Sequence, residues 1–261
     1  MIPQSHIAEW RNNVPWQFDE QVEQDLVICR ALVEIFNDPF LSENLAFRGG
    51  TALHKLYLSP QPRYSEDIDL VQIKAAPIGE TIDRIREVLS FLGQPKVKLG
   101  KMTTVKFSFD SEMPPSTPLR LKVETNCQEH FAELGWIQKD FSVQSDWFSG
   151  SCKITTYQLE ELLGTKLRAL YQRRKGRDLF DLHRTLTHSN VNIDNVLNCY
   201  KKYMEFSVGK MPSQKEFLQN MEEKMSNDQF KGDIKALIRV DEKFNQEEAF
   251  ELIKSKFIDK M

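Results

Sequence analysis

Two neighbouring segments, FRGGTALHK at residues 47–55 and RYSEDIDL at residues 63–70, decide the fold of this chain. A pair of glycines opening a short helical stretch leaves backbone N–H groups bare, so phosphate oxygens can approach them closely. In the second segment Asp67 and Asp69 alternate with aliphatic residues, which is the two-residue period of a β-strand. The two carboxylates are therefore predicted to share one face of a strand whose aliphatic side chains enter the core.

Two carboxylates on one strand face repel each other unless a cation lies between them. Hard Mg²⁺, with Mn²⁺ as an alternative, prefers such oxygen ligands. A phosphate-binding turn beside a metal-binding acid pair predicts nucleotidyl transfer from a nucleoside triphosphate. A lone Gly-Gly is usually a turn and a lone Asp-x-Asp usually a solvated strand edge, but their joint occurrence favours the functional interpretation. The chain has neither the G-x-G-x-x-G of dinucleotide-binding folds nor the lysine of a Walker A loop.

Composition is that of an ordinary globular protein with one large or two modest domains. The 261 residues are 40% hydrophobic and 28% charged, and the net charge of -3 argues against wholesale coating of nucleic acid. No apolar run approaches membrane-spanning length, and the first residues lack a signal-peptide pattern. The scattered cysteines are expected to be reduced thiols, and we predict a cytoplasmic location. They are Cys29, Cys127, Cys152 and Cys199.

Hydrophobic periodicity in the first half predicts helices and strands in a mixed order. Helical spacing covers residues 21–36, 51–58 and 82–92, with Thr51 as the cap of the second helix and Gly93 ending the third. A short strand or turn is expected at residues 45–47.

Two further strands are predicted where apolar residues alternate with polar ones around residues 105–109 and 119–123. Glu124 falls on the polar face of the second, where a third carboxylate would meet Asp67 and Asp69. The alternative is a solvated glutamate beside Lys122.

The pattern becomes helical after residue 154, so we predict domains at 1–154 and 155–261. The fold class is α/β (α+β): a nucleotidyltransferase-type mixed sheet with flanking helices, then an all-helical domain that contributes to the active site. Thr155 and Gln158 resemble a capping box that opens a helix running to about Arg173. Later helices are predicted at 178–187, 193–206, 213–225, 228–239 and 246–258.

A second group of candidate residues is basic. Lys166 and Arg173 are seven residues apart and lie on nearly the same helix face. Gly176 is expected to break the helix, which places Asp178 at the start of the next one. Such cations can grip a triphosphate, although a solvated basic helix is the common alternative. Asp181 has apolar neighbours and is predicted to be a structural hydrogen-bonding acid.

The ordered motifs resemble the AbiEii-type (abortive-infection) nucleotidyltransferase toxins of the polymerase-beta-like superfamily. The resemblance rests on residues 49–55 (GGTALHK), 63–70 and 177–182 (RDLFDL), together with the helix that carries Lys166 and Arg173, and it spans about residues 40–185. It implies an enzyme that transfers nucleoside monophosphate from a nucleoside triphosphate, in some members onto tRNA acceptor ends. It also implies a toxin–antitoxin or phage-defence role with a separately encoded antitoxin.

The resemblance assigns roles to individual residues. The implied nucleotide-binding residues are Gly49, Gly50, Thr51, Lys55, Arg63, Ser65 and Arg173. The implied catalytic residues are Asp67, Asp69, Glu124, Lys166 and Asp178, and the first two are also the metal ligands. His54 and His183 are assigned to packing.

The acceptor is predicted to be an RNA 3′ end, such as that of tRNA, docked by the basic stretch at residues 173–175. Two alternatives remain open: transfer to a protein hydroxyl, and a nucleotide-binding module without turnover.

Overall fold

The computed structural model describes residues 1–261 and divides into two compact units. Unit 1 comprises Met1–Phe131 and Trp136–Tyr157, and unit 2 comprises Ala132–Gly135 and Gln158–Met261. No helix in either unit combines the length and the apolar character that crossing a membrane requires.

Unit 1 is built around a seven-stranded mixed sheet with the spatial order β3-β4-β5-β2-β1-β7-β6. The strands are β1 (Leu45–Arg48), β2 (Ile68–Gln72), β3 (Lys96–Lys98), β4 (Met102–Asp110), β5 (Pro118–Asn126), β6 (Trp136–Gln144) and β7 (Ser149–Tyr157). The pairs β2–β5 and β1–β7 are parallel, and the other neighbours are antiparallel. This mixed sheet confirms the predicted fold class.

Five α-helices flank the sheet. They are α1 (Gln4–Trp10), α2 (Asp19–Asn37), α3 (Pro39–Asn44), α4 (Gly49–Leu56) and α5 (Gly79–Val88), with short 3₁₀ segments at Arg11–Asn13 and Ser90–Leu92. Helix α2 matches the predicted helix at 21–36, and its apolar positions, such as Leu26 and Leu32, are fully buried.

Strands β4 and β5 have the predicted apolar and polar faces. Val105 lies opposite Val123, and both side chains are buried. On the other face Lys106 lies opposite Lys122, with both side chains partly exposed. Period-two alternation therefore predicted the face of each side chain correctly.

Two predicted helix caps are wrong. Helix α4 begins at Gly49, so Thr51 lies inside the helix rather than at its N-cap. Thr155 belongs to strand β7, and Gln158 is the residue at the N-cap of the next helix. In both cases strand pairing determined the boundary, because β1 and β7 extend to the residues that precede their helices.

Unit 2 is helical. Its helices are α6 (Leu159–Gln172), α7 (Gly176–His188), α8 (Ile193–Val208), α9 (Gln214–Met225), α10 (Asp228–Gly232) and α11 (Gln246–Lys256), followed by a 3₁₀ turn at Ile258–Lys260. A capping box of Ser213 and Glu216 opens α9. The predicted helix at 228–239 is wrong beyond Gly232, where the backbone continues as turns.

Close packing of α6 on α8 depends on Gly164. A Cβ at this position would lie 2.6 Å from the Cys199 Cβ and 3.0 Å from the Val196 carbonyl oxygen. Any larger residue would therefore push the two helices apart.

The side chain of Glu23 on α2 is buried, so its ionised carboxylate is expected to destabilise the folded state. The residue is 0% exposed, and its Oε2 accepts a hydrogen bond from the Glu112 backbone N–H at 3.0 Å, whereas Oε1 has no partner. Burial raises the pKa of Glu23 from 4.5 to about 7.

Between about pH 4.5 and pH 7 the folded chain therefore holds a proton that the unfolded chain has released, so stability should fall as pH rises through this window. We expect Glu23→Gln to raise the free energy of unfolding at pH 8 by on the order of 2 kcal/mol and to leave it nearly unchanged at pH 4. Urea unfolding of wild type and variant at the two pH values measures this difference. Glu43→Gln is the control, because Glu43 is exposed and its replacement should not change the pH dependence. An equal pH dependence in wild type and Glu23→Gln would contradict the prediction.

Candidate active site

The glycine pair forms a tight junction between β1 and α4. Gly49 has φ +78°, which lies in the left-handed region that favours glycine. A Cβ at this position would overlap the Oδ2 atom of Asp69. Glycine is thus required both for the turn and for the close approach of the Asp69 carboxylate to the first turn of α4. Gly50, the second predicted phosphate-binding glycine, follows inside the helix.

Thr51 connects α4 to the segment that carries the acids. Its Oγ1 lies 2.7 Å from the Ser65 Oγ and also donates a hydrogen bond to the Asp67 backbone carbonyl. The side chain is buried, so its hydroxyl positions the Asp67 segment. Contacts of Thr51 and Ser65 with a nucleotide stay predictions.

Three predicted acids meet on one side of the sheet in unit 1. Asp67 directly precedes β2, Asp69 lies within it, and the parallel pairing of β2 with β5 places Asp69 opposite Glu124. Thr104 donates a hydrogen bond to Glu124 Oε1 at 3.3 Å. Burial, and then the negative charges of Asp69 and Asp67, raise the pKa of Glu124.

Lys122 is a member of this cluster that the sequence interpretation missed. Its Nζ lies 3.3 Å from Asp67 Oδ2, with both side chains about one-third exposed (40% and 30%). An ion pair with this exposure contributes little stability. The signal was available, because Lys122 is two residues before Glu124 and therefore on the same strand face.

The donors of this cluster are carboxylate oxygens, the ligands that Mg²⁺ prefers. No group of three or more His, Cys, Asp or Glu side chains in the structure converges closely enough to hold a metal ion. The cluster thus fits a cation that takes one or two carboxylates and completes its shell with water and substrate phosphates, which is how Mg²⁺ commonly binds.

Lys55 and Arg63 lie in the interior of unit 1. The Lys55 Nζ is 2.9 Å from Asp25 Oδ1 and 3.2 Å from Cys29 Sγ, and its side chain is 4% exposed. Burial alone would lower the pKa of Lys55, but the charges of Asp25 and Cys29 and the hydrogen bonds with them together outweigh it, so the pKa is raised. Arg63 is buried and donates to the Tyr64 carbonyl at 2.8 Å. Both side chains stabilise the interior of unit 1 in this structure, and their contacts with a nucleotide stay predictions.

A buried ionic network joins α6 to α7 in unit 2. Lys166 Nζ lies 3.0 Å from Asp178 Oδ1 and 2.7 Å from Asp181 Oδ2, and Arg173 Nε lies 2.6 Å from Asp178 Oδ2. Burial raises the pKa of Asp178, but Lys166 and Arg173 outweigh it and the pKa is lowered. The predicted break at Gly176 is confirmed, since α6 ends at Gln172 and α7 begins at Gly176. Catalytic roles for Lys166 and Asp178 stay predictions.

Most of the basic stretch predicted to dock RNA is neutralised within unit 2. Lys175 and Arg177 both face Asp233, at 3.3 and 3.6 Å, and Arg184 faces Glu242 at 3.3 Å. Arg173 is engaged by Asp178 as described, whereas the exposed Arg174 has no acid within ion-pair distance. Acids distant in the chain therefore reduce the local excess of positive charge, and docking of RNA by residues 173–175 stays a prediction.

Unit 1 thus combines a glycine turn at a helix start with acids on the adjacent strands, an arrangement typical of nucleotidyltransferases. The sequence profile of the family described as "Nucleotidyl transferase AbiEii toxin, Type IV TA system" matches residues 30–254. The chain belongs to this family, and it is a nucleotidyltransferase toxin of a type IV toxin–antitoxin system.

A solved structure shows the same fold. MenT4, a nucleotidyltransferase toxin from Mycobacterium tuberculosis, is 15% identical with a TM-score of 0.59, over 82% of this chain and 75% of that one. A weaker match is an antigenic nucleotidyltransferase-like protein from Paracoccidioides brasiliensis, 14% identical over 82% of this chain and 94% of that one, whose TM-score of 0.40 supports no conclusion. No protein with a curated function matches the chain.

Proposed function

We propose that this toxin transfers a nucleoside monophosphate from a nucleoside triphosphate to the 3′ end of an RNA such as tRNA, in a reaction that needs Mg²⁺. The observation that carries the proposal is the placement of Asp67, Asp69 and Glu124 on one face of two adjacent strands, with Asp69 against the Gly49 turn. The family to which the chain belongs also implies an antitoxin partner and a nucleoside triphosphate substrate.

Different residues of unit 1 bind the triphosphate and the metal ion. Backbone N–H groups at the start of α4, from Gly50 and Thr51, bind triphosphate oxygens. Asp67 and Asp69 hold Mg²⁺, which when bound neutralises charge on the phosphates and on the attacking oxygen. These backbone N–H groups also orient the triphosphate for in-line attack, and positioning of this kind accounts for most catalysis in phosphoryl transfer.

The bond changes balance without a further co-reactant. The acceptor 3′ oxygen forms a new bond to the α-phosphorus, the bond between the α-phosphorus and the bridging oxygen breaks, and pyrophosphate leaves. The hydroxyl proton passes to the carboxylate of Glu124, whose raised pKa suits it to accept a proton.

A labelling experiment tests this proposal. The full chain is incubated with total RNA, Mg²⁺ and each α-³²P nucleoside triphosphate in turn, and the products are separated by denaturing gel with and without ribonuclease. We expect ribonuclease-sensitive label that disappears when Mg²⁺ is chelated. Label only in protein would replace the RNA acceptor by a protein hydroxyl, and no label with any of the four nucleotides would favour a binding module.

A further inference from the structure

A row of lysines crosses the polar face of three neighbouring strands in unit 1. Lys96 on β3 lies opposite Lys106 on β4, and Lys106 lies opposite Lys122 on β5. Lys122 in turn contacts Asp67, 3.3 Å away, at the start of β2. Residues opposite each other on adjacent strands project from the same face. The three ammonium groups therefore form a line, here called the lysine row, that ends at the acid cluster.

The lysine row is costly to the fold. Adjacent strands are about 4.7–4.9 Å apart, and like charges directly opposite each other are destabilising. Neither Lys96 nor Lys106 has an acid within ion-pair distance. A lysine on the edge strand β3 can be explained as protection against edge-to-edge pairing. That explanation does not apply to β4 and β5, which are interior strands of the sheet.

The row ends at an open cavity of about 400 Å³ in the same unit. The residues that line the cavity include Phe18, Tyr64, Asp67, Arg120 and Lys122. Its volume is in the range of small-molecule sites. Phe18 is 52% exposed, and an exposed aromatic ring is a surface on which a nucleobase can stack.

We propose that the lysine row binds the backbone of the RNA acceptor and leads its 3′ end to Asp67, where the terminal base stacks on Phe18. This rests on the proposed RNA acceptor and replaces the basic stretch of unit 2 as its docking surface. Lys96 and Lys106 have no acid partner, and they continue the line of positive charge away from Lys122, which is paired with Asp67. A line of ammonium groups suits a phosphodiester chain, whose phosphates are also in a line. A single strand fits better than a duplex, because only unpaired bases can stack on a side chain.

The test removes the part of the row that lies away from the acids. The double variant Lys96→Gln/Lys106→Gln is compared with wild type in binding a 5′-fluorescein single-stranded RNA with a free 3′ hydroxyl, by anisotropy across a salt titration. The matched control is Lys74→Gln/Lys153→Gln, which removes two exposed lysines of the same unit.

We expect the row variant to bind RNA about tenfold more weakly at 0.1 M salt and to lose about 1.4 from the slope of log K against log salt, because each single-strand phosphate contact contributes about 0.7. Its KM for nucleoside triphosphate should be unchanged, and its melting temperature unchanged or higher, since repulsion is relieved. Phe18→Ala, added to the row variant, should weaken RNA binding further. It should leave the slope of log K against log salt unchanged, because stacking is not ionic.

The possible outcomes distinguish failure of the lysine row as a binding surface from failure of RNA as the acceptor. Equal RNA affinity and slope in wild type and row variant would overturn the lysine row while leaving the RNA acceptor standing. An equal loss in the control would also overturn it, because net charge alone would then explain binding. No RNA binding by wild type would overturn the acceptor and the row together.

Discussion

Replacing Asp69 by asparagine will abolish nucleotidyl transfer while leaving unit 1 folded. Asparagine keeps the shape that fits against Gly49 but removes the charge that holds a cation. We expect transfer to fall by about a thousandfold or more, the scale seen when a preorganised electrostatic contact is lost. Asp67→Asn should have a similar effect, which label incorporation from an α-³²P nucleoside triphosphate measures.

The control for these variants is Asp83→Asn, an exposed acid on α5 of the same unit. It should transfer at the wild-type rate. The melting temperatures of Asp67→Asn and Asp69→Asn should equal or exceed that of wild type without Mg²⁺, because one of three neighbouring negative charges is gone. Wild-type transfer by either site variant would show that the acid cluster is not the active site.

Replacing Lys166 by methionine will strongly destabilise unit 2. The substitution removes the partner of two aspartates that are both 0% exposed. Loss of one member of a buried ionic network typically costs about 3–5 kcal/mol, because buried charge is left uncompensated. Urea unfolding followed by circular dichroism measures the change.

Two further variants decide whether charge is the cause. Lys166→Met combined with Asp181→Leu should recover part of the lost stability, since it removes one of the buried acids. Lys201→Met, an exposed lysine 4.0 Å from Glu205, should change stability by less than about 0.5 kcal/mol. If Lys166→Met unfolds like wild type, the network is not structural and the nucleotide contact predicted for Lys166 becomes the better explanation.

The local motifs carried most of the information about unit 1. The alternation around Asp69 predicted a strand whose aliphatic residues are buried, and Ile68 and Leu70 are both 0% exposed. The placement of Glu124 beside Asp69 was also predicted, because period two fixes the face of each residue. Which strands become neighbours, and hence that Lys122 reaches Asp67, depends on the order of the whole sheet.

Strands β6 and β7 were not predicted, although alternation is present in β6. Its inward residues, such as Ile137 and Phe141, are only partly buried. The contrast between inward and outward residues is weak in such an outer strand. The sequence pattern of a helix cap at Thr155 was then misleading, because tertiary strand pairing overrode it.

The ion-pair partners of the basic residues of unit 2 could not be predicted for a related reason. Lys175 and Arg177 are compensated by Asp233, which follows more than fifty residues later in the chain. Local charge counting does not include such partners. The lysine row was missed for the opposite reason, since its members are spread over three strands and no short segment of the sequence contains all of them.

The acceptor end of the RNA provides the most direct test of the central claim. Wild-type protein is incubated with Mg²⁺, α-³²P nucleoside triphosphate and two preparations of one RNA, either intact or oxidised by periodate to destroy its 3′ hydroxyl. The account predicts label in the intact RNA, release of one pyrophosphate for each nucleotide added, and no label in the oxidised RNA. Equal labelling of both preparations, or label that remains with the protein after ribonuclease treatment, would contradict it.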